Sequence, residues 1–270
     1  PMIMGFGCNV PAIMACRTIE SRSSRLITIL ITPFMSCSAR LPIYILLTGT
    51  FFPGNSGLMM MALYLLGILL AVVTARLMRR FLFPVDETPF VMELPPYRRP
   101  QPGKVIVRSI FDRTLSLLGR AVAVAAPAGL VIWLLANLTV GGESLLMHIA
   151  GFLDPLGTLM GLDGIILMAF ILGFPANEIV LPIILMAYLQ SGVLAPMDDK
   201  TAILSLLSAN GWTVKTAVCM AIFSLFHWPC STTCLTIKKG DGKLKMDRRI
   251  HPSAHPGVGV LLCILVNLVF

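Results

Sequence analysis

Residues 173–178 read Gly173-Phe174-Pro175-Ala176-Asn177-Glu178 and interrupt an apolar stretch that runs from 163 to 189. Glycine and proline close together end a regular helix, and a carboxylate at the centre of a bilayer costs about 2.5–3.5 kcal/mol. Each half of the stretch holds about 11 residues, which as a helix reach roughly 16 Å, or half of a bilayer. We therefore expect 163–189 to enter a membrane, turn at this motif and return to the same side.

The composition of the whole chain also predicts a membrane protein. Of its 270 residues, 56% are hydrophobic and 13% are charged, and the mean hydropathy is +0.86. A soluble domain carries about a quarter charged residues, so these few charges could not cover a water-soluble surface of this size. In a membrane protein the surface that faces lipid is apolar, so few charged residues are needed to cover it. The alternative is a soluble protein with a very large core.

The positions of the basic residues predict how the segments cross the membrane. Of 21 Lys and Arg residues, three lie in 17–25, nine in 76–120 and six in 238–249. Such clusters beside apolar segments mark cytoplasmic loops, and they can also contact anionic lipid headgroups. No aromatic-interleaved motif accompanies the net charge of +8, so we expect no nucleic-acid partner. With the basic loops in the cytoplasm, 139–162 and 190–212 become outer loops and 163–189 must be re-entrant.

These observations predict an all-α, polytopic membrane protein. A first unit with the helix that follows spans 1–75, and a basic cytoplasmic linker spans 76–115. The second unit, which contains 163–189, spans 116–237. A basic cytoplasmic loop at 238–256 and a short C-terminal apolar segment at 257–270 complete the chain.

An internal repeat links the two units. The pattern G-F-x-x-N occurs at Gly5-Phe6-Gly7-Cys8-Asn9 and again at 173–177. Each copy is followed by a helix interrupted at proline and Cys-Ser, first at Pro33 with Cys37-Ser38 and then at Pro229 with Cys230-Ser231. The charge argument gives these two helices opposite directions, so the units are inverted. Inverted repeats with broken helices at matching places mark the central site of a transporter. Chance similarity of a short motif is the alternative.

Several side chains near these breaks are of types that bind metals. If 213–237 is one helix, then Cys219, His227, Cys230 and Cys234 occupy a stripe less than about 90° wide. Cys and His bind borderline and soft transition metals, whereas Mg²⁺ and Ca²⁺ prefer oxygen. A single buried Cys is more often a small hydrophobic residue. The stripe, taken with the cysteines at the other breaks, favours a metal.

Glu178 and Arg40 are charged residues that lie inside apolar segments. Glu178 requires a partner, a proton or a cation there, and such residues are functional by default. A structural ion pair with Arg40 is the alternative. The chain contains no HExxH motif, no P-loop and no Ser/His/Asp arrangement, so we do not expect it to be an enzyme.

Longer motifs resemble one family. They are GCNVP at 7–11, RTIE at 17–20, LITPFMSCSARLPIY at 30–44, PFVMELPPYR at 89–98, GFPANEIVLP at 173–182 and HWPCS at 227–231. They resemble the two Gate regions, and the linker between them, of the bacterial ferrous iron transport protein B (FeoB) family. The resemblance covers nearly all of the chain from residue 5 to about residue 246.

The resemblance implies a multi-pass Fe²⁺ permease of the bacterial cytoplasmic (inner) membrane. It also implies an N-terminal GTP-binding domain in the complete protein, so this chain itself is expected to hold no GTP site. Fe²⁺ is then the transported substrate. The implied partners are that G domain, a small cytosolic FeoA-like protein and membrane lipid, and a homo-oligomer is left open.

The residues and the resemblance together define a candidate site. By resemblance, Cys8, Cys37 and Cys230 correspond to cysteines that are thought to line the iron path. The predicted metal-binding side chains are those of Cys8, Cys37, Cys230, Glu178, His227 and Met35. The predicted gating and path residues are Asn9, Pro11, Arg40, Pro175, Asn177, Cys219 and Cys234.

Two other functions compete with this prediction. One is a Gate-type transporter of a nucleoside or another solute. Such a site would favour aromatic and amide side chains, whereas the breaks offer Cys and Met. The other is a membrane scaffold or sensor that transports nothing.

Overall fold

A computed structural model describes residues 1–81, 101–189, 200–240 and 254–269 of the chain. Its α-helices are α1 (Met2–Gly5), α2 (Asn9–Ala15), α3 (Arg22–Ile31), α4 (Leu41–Phe51), α5 (Ser56–Phe81), α6 (Pro102–Arg108), α7 (Ser116–Asn137), α8 (Leu145–Leu159), α9 (Gly164–Leu172), α10 (Val180–Leu189), α11 (Lys200–Ala209), α12 (Val214–Phe226), α13 (Ser231–Gly240) and α14 (Ala254–Val269). Single 3-10 turns lie at Cys16–Thr18, Thr32–Phe34, Ser38–Arg40 and Asn177–Ile179, and a π-helical segment lies at Ser109–Leu115. The strands β1 (Thr139–Val140) and β2 (Glu143–Ser144) pair in an antiparallel hairpin.

The helices confirm the predicted all-α membrane fold. Within the described ranges, three helical segments are long and apolar enough to cross a bilayer, namely Arg22–Phe51, Ser56–Phe81 and Val214–Ile237. The pair α8 and α9 is bent by 110° and adds a fourth span if it is counted as one. The long helix α5 exposes most of its apolar side chains, as a lipid-facing helix does.

Each of the two Gate-type units contains two broken helices, as the repeat predicts. In the first unit the breaks separate α1 from α2 and α3 from α4. In the second unit they separate α9 from α10 and α12 from α13. Proline explains their positions, since it removes a backbone donor and clashes with the preceding turn. Non-helical backbone at membrane depth is tolerated only where protein buries it or where it lines a cavity.

Helix α5 packs closely on the break that follows α3. A Cβ atom built on Gly67 would stand 2.9 Å from the carbonyl oxygen of Phe34, which lies in the unwound stretch. Glycine is therefore required at the point where α5 crosses this break. Small residues serve the same purpose wherever membrane helices approach each other closely.

The stretch 139–162, which we expected to be a mixed loop, is mostly the helix α8. Pro155 lies inside that helix, and the side chain of Ser144 accepts a hydrogen bond from the Met147 N–H at its start. Helices α8 and α9 then pack tightly. A Cβ atom on Gly164 would stand only 2.0 Å from the Ala150 carbonyl oxygen. Turn residues such as glycine and aspartate misled the prediction because here they cap and join helices.

The two ends of the stretch 163–189 lie side by side. Tyr188, at the end of α10, donates a hydrogen bond to the carboxylate of Asp163, which begins α9. The indole N–H of Trp212 donates to the Tyr188 oxygen at 2.7 Å. The chain therefore comes back to its starting level after the break at 173–176, which is the course that a re-entrant segment follows.

Two further elements differ from the expected loops and tail. Part of the outer loop 190–212 is the helix α11, and 190–199 lies outside the described residues. The C-terminal segment is the 16-residue helix α14, which packs on α12. Asn267 in α14 donates to the carbonyl oxygens of Thr158 and Leu159 at the end of α8. The short apolar segment that we expected at 257–270 forms most of this helix, which begins at Ala254.

The basic linker is partly helical. Helix α5 continues through Arg76, Arg79 and Arg80, and α6 begins at Pro102. The motif at 89–98 and the loop 241–253 lie outside the described residues.

Candidate functional site at the helix breaks

The two breaks within each unit are joined by matching hydrogen bonds. In the first unit the Ser38 hydroxyl donates to the Gly7 carbonyl oxygen at 2.7 Å, and the Ser38 N–H donates to the same oxygen at 3.2 Å. In the second unit the Ser231 hydroxyl donates to the Pro175 oxygen at 3.3 Å, and its N–H donates to Phe174 at 2.8 Å.

The two copies of the repeat make these bonds at corresponding positions. Gly7 and Pro175 occupy the same position of the G-F-x-x-N pattern, and each accepts from the serine that follows a cysteine. The serine supplies a donor to a carbonyl oxygen at a point where the interrupted helix does not provide one. Cys37-Ser38 and Cys230-Ser231 mark the breaks in the sequence, but the role of the serines becomes visible only in the structure.

The two asparagines of the repeat are buried with an unused oxygen. Asn9 and Asn177 are 5% and 6% exposed, and the Oδ1 atom of each lacks a hydrogen-bond partner. Leaving a buried acceptor unpaired costs about 1–3 kcal/mol. Two such atoms at equivalent positions of an internal repeat therefore indicate a common role.

Other unpartnered buried polar atoms lie at or near the breaks. They are Ser36 Oγ, Arg40 Nε, Tyr44 Oη and Trp228 Nε1. Native proteins leave few polar groups unsatisfied, and those that remain often mark a functional site or an ion. The interior at the breaks is thus unusually rich in free donors and acceptors.

Three of the predicted cysteines and the predicted carboxylate gather at one place. Cys8 begins α2, Cys37 precedes the turn Ser38–Arg40, and Cys230 precedes α13. The Cys8 thiol lies close enough to Cys37, Cys230 and Glu178 for their charges to act on it. Helix α2 also packs on α13, and the turn at 38–40 contacts the turn at 177–179. The fold therefore brings residues that are up to 222 positions apart into one neighbourhood.

Their exposure differs. Cys8 and Glu178 are exposed, Cys230 is half-buried and Cys37 is 8% exposed. The Cys230 sulfur lies 3.2 Å from the Thr233 hydroxyl. A series of thiols that runs from the surface to the interior is suited to passing a cation along.

Arg40 does not pair with Glu178. Its guanidinium is 1% exposed and donates to the carbonyl oxygens of Pro33, Leu225 and His227 at 3.2, 3.3 and 3.3 Å. The last two carbonyls lie at the end of α12, where a positive charge is favoured by the helix dipole. The predicted path residue Arg40 therefore ties the second break of one unit to the second break of the other.

His227 and Met35 are packed in the interior. The His227 ring is 2% exposed, contacts the rings of Phe170 and Trp228, and has its Nε2 atom 3.3 Å from the Phe170 carbonyl oxygen. Met35 is 2% exposed and packs against Gly5. The structure thus places both beside the breaks but within packed surroundings. Pro11 lies in the first turn of α2.

The predicted stripe of four metal-binding side chains is wrong. The helix is interrupted between Phe226 and Ser231, so one angular step per residue does not hold across 213–237. Cys219 lies against α14, where the Cys263 thiol donates to its carbonyl oxygen at 3.4 Å. Cys234 donates to the Pro229 oxygen at 3.5 Å. Cys230 and Cys234 remain neighbours.

Within the part of the chain that the structure describes, no three His, Cys, Asp or Glu side chains converge closely enough to hold a metal ion by themselves. Any ligand set at the breaks would therefore include other atoms. The unpaired Oδ1 atoms of Asn9 and Asn177 are such atoms.

Two family models match the chain. The Gate model, described as "Nucleoside recognition", matches residues 1–51 and 118–240. The model described as "Ferrous iron transport protein B C terminus" matches residues 60–112. No solved structure matches the chain.

Curated relatives carry related names. A protein named Fe(2+) transporter FeoB from Methanocaldococcus jannaschii is 34% identical over 89% of this chain, and one from Staphylococcus aureus is 36% identical over 88%. A protein from Porphyromonas gingivalis named Fe(2+) transport protein A/Fe(2+) transporter FeoB fusion protein is 57% identical over 50% of this chain. The matched parts are 37%, 36% and 16% of those three proteins. The matched part is thus little more than a third of the length of the first two relatives and about a sixth of the third.

Proposed function

Because this chain belongs to the Gate family and corresponds to the C-terminal region of the FeoB transporters, we propose that it is the permease portion of an Fe²⁺ uptake transporter. In this proposal Fe²⁺ is the transported substrate and crosses where the broken helices meet. The GTP-binding function is expected to belong to another part of the complete protein.

One observation carries the proposed path. Cys8, Cys37 and Cys230 come from three different breaks and lie near Glu178, which belongs to the fourth. Unpaired asparagine oxygens lie at the Cys8 break (Asn9) and at the Glu178 break (Asn177). A cation that leaves water needs replacement ligands, and unwound segments of broken helices supply them in transporters.

The donor set suits a transported transition metal. Thiolate sulfur is a soft ligand, and carboxylate and amide oxygens are harder ones, so a mixed set accepts a borderline ion such as Fe²⁺. Conduction also requires binding that is strong enough to admit the ion but weak enough to release it. A few donors spread over several breaks meet that requirement better than one closed site with four strong ligands. Glu178 supplies the negative charge that compensates the ion.

The relatives support the proposed partners. The Porphyromonas gingivalis protein joins transport protein A to the transporter in one chain, which favours a small FeoA-like protein as a partner here. We further propose that the chain acts in the bacterial cytoplasmic membrane, together with the G domain of the complete protein. Whether it forms a homo-oligomer stays a prediction.

Uptake of radiolabelled Fe²⁺ tests the path. Cells that lack their own ferrous transporter would carry the full-length protein with Cys37→Ser, Cys230→Ser or Glu178→Gln. We expect the initial uptake rate to fall by about tenfold or more in each, since even outer-shell changes at metal sites cost 10–100-fold in affinity.

The matched control is Cys263→Ser. Cys263 is 0% exposed and lies against Cys219 rather than at a break, and serine keeps a donor for its hydrogen bond. This variant should transport Fe²⁺ normally at equal membrane abundance. Normal uptake in all three path variants would refute the path, and uptake of a labelled nucleoside instead of Fe²⁺ would refute the cargo.

A further inference from the structure

A groove of about 420 Å³ separates α3 from α5. On α3 it is lined by Ser24, Ile27, Thr28 and Ile31. These positions are spaced i, i+3, i+4 and i+7, which places them on one face of the helix. The two hydroxyls lie towards the start of α3, and the deepest position, Ile31, is buried.

The facing side of α5 repeats this pattern in the opposite direction. Val72, Ala75, Arg76 and Arg79 line the groove with the same spacing, and the arginines lie towards the end of the helix. Gly67, before this face of α5, approaches Phe34 just beyond the end of α3, so the start of α3 and the end of α5 lie at the same end of the groove. That end is polar and basic, and the other end is apolar.

The basic end of the groove carries a surplus of positive charge among the described residues. Neither Arg76 nor Arg79 has a carboxylate partner among the described residues, and both side chains are exposed. Arg22 and Arg80 add positive charge nearby in sequence, and Glu20 is the acidic residue that precedes α3. The N-terminus of α3 adds the positive end of a helix dipole.

We propose that this groove binds one anionic phospholipid of the cytoplasmic leaflet. The phosphate group pairs with Arg76 and Arg79 and accepts from the Ser24 hydroxyl. One acyl chain follows Ile27, Val72 and Ile31 towards the membrane interior. Basic pockets between transmembrane helices on the cytoplasmic side bind anionic headgroups, and the location of these arginines matches the positive-inside rule.

Arginines at a helix C-terminus also have a simpler explanation. They compensate the helix dipole and hold the helix end at the membrane surface, whatever lies beside them. That explanation requires no groove and treats Arg76, Arg79 and Arg80 alike. The proposed site instead distinguishes the two arginines that line the groove from Arg80, which does not line it and lies over the ring of Phe81.

Native mass spectrometry of the purified full-length protein tests the site. The protein is titrated with phosphatidylglycerol or with phosphatidylcholine of the same acyl chains. We expect one phosphatidylglycerol to be retained selectively. In the double variant Arg76→Gln/Arg79→Gln the affinity for phosphatidylglycerol should fall about 30-fold, because each arginine near the membrane surface contributes about 1 kcal/mol of binding free energy.

Two further variants decide between the explanations. Ala75→Phe fills the groove and leaves every charge in place, and it should lose the bound lipid as well. Arg80→Gln should bind within about threefold of the unmodified protein. Equal binding of both lipids, equal loss in Arg80→Gln, or full binding in Ala75→Phe would each overturn the proposal. The site is separate from the cation path, so Fe²⁺ uptake and lipid retention can fail independently.

Discussion

Replacement of Arg40 by lysine tests whether the two units are held together at their second breaks. The guanidinium donates to three carbonyl oxygens that belong to two separate units, at Pro33 in one and at Leu225 and His227 in the other. A lysine ammonium is a compact point charge on a flexible stem and lacks the rigid fork of donors. It can keep the positive charge and about one of the three bonds.

The expected loss follows from these contacts. A hydrogen bond from a charged group contributes about 1.5–3 kcal/mol, and the lengths of 3.2–3.3 Å favour the lower figure. Losing two such bonds destabilises the protein by about 3 kcal/mol. At roughly 2–4 °C per kcal/mol for a domain of 150–250 residues, the melting temperature should fall by about 6–12 °C.

Thermal unfolding of the full-length protein in detergent measures this shift. The matched control is Arg17→Lys, because Arg17 is exposed and surface substitutions usually change stability by less than about 0.5 kcal/mol. A melting temperature of Arg40→Lys within about 2 °C of the unmodified protein would mean that the three bonds do not join the units. The reasoning about the role of Arg40 would then be refuted.

Two other substitutions test the packing by the same measurement. Gly164→Ala should lower the melting temperature strongly, since the added Cβ meets the Ala150 oxygen at 2.0 Å, whereas Gly49→Ala has nothing within 4 Å and should be neutral or stabilising. A neutral Gly164→Ala would contradict the close approach of α8 and α9. Tyr188→Phe removes the donor to the Asp163 carboxylate and should cost about 1.5–3 kcal/mol, and full stability would show that this bond does not hold the ends of 163–189 together.

The helix breaks were predictable from sequence because their causes are local. Proline and glycine act on their own turn of the chain, so Pro33, Gly173 and Pro229 indicate interruptions without any knowledge of neighbours. Lipid as the solvent makes the apolar spans equally visible. The same local logic overlooked α8 and the start of α14, because caps and turns share the same residue types.

The contacts within the candidate site, in contrast, could not be predicted from local sequence. The residue types at the breaks predicted a group of cysteines. The helical wheel included Cys219 in this group, but the interruption before Ser231 makes the wheel inapplicable, and Cys219 lies against α14 instead. Arg40 and Glu178 were plausible partners by charge alone. Only the fold shows that backbone carbonyls of the other unit take the guanidinium.

By itself, then, the sequence determined the membrane fold, the position of each break and the family, since all of these depend on residue type and spacing along the chain. The tertiary structure decided which breaks meet. It joined Ser38 to Gly7 and Ser231 to Pro175, and it left Asn177 with a free oxygen. Those outcomes depend on distances between residues far apart in the chain, and packing determines such distances.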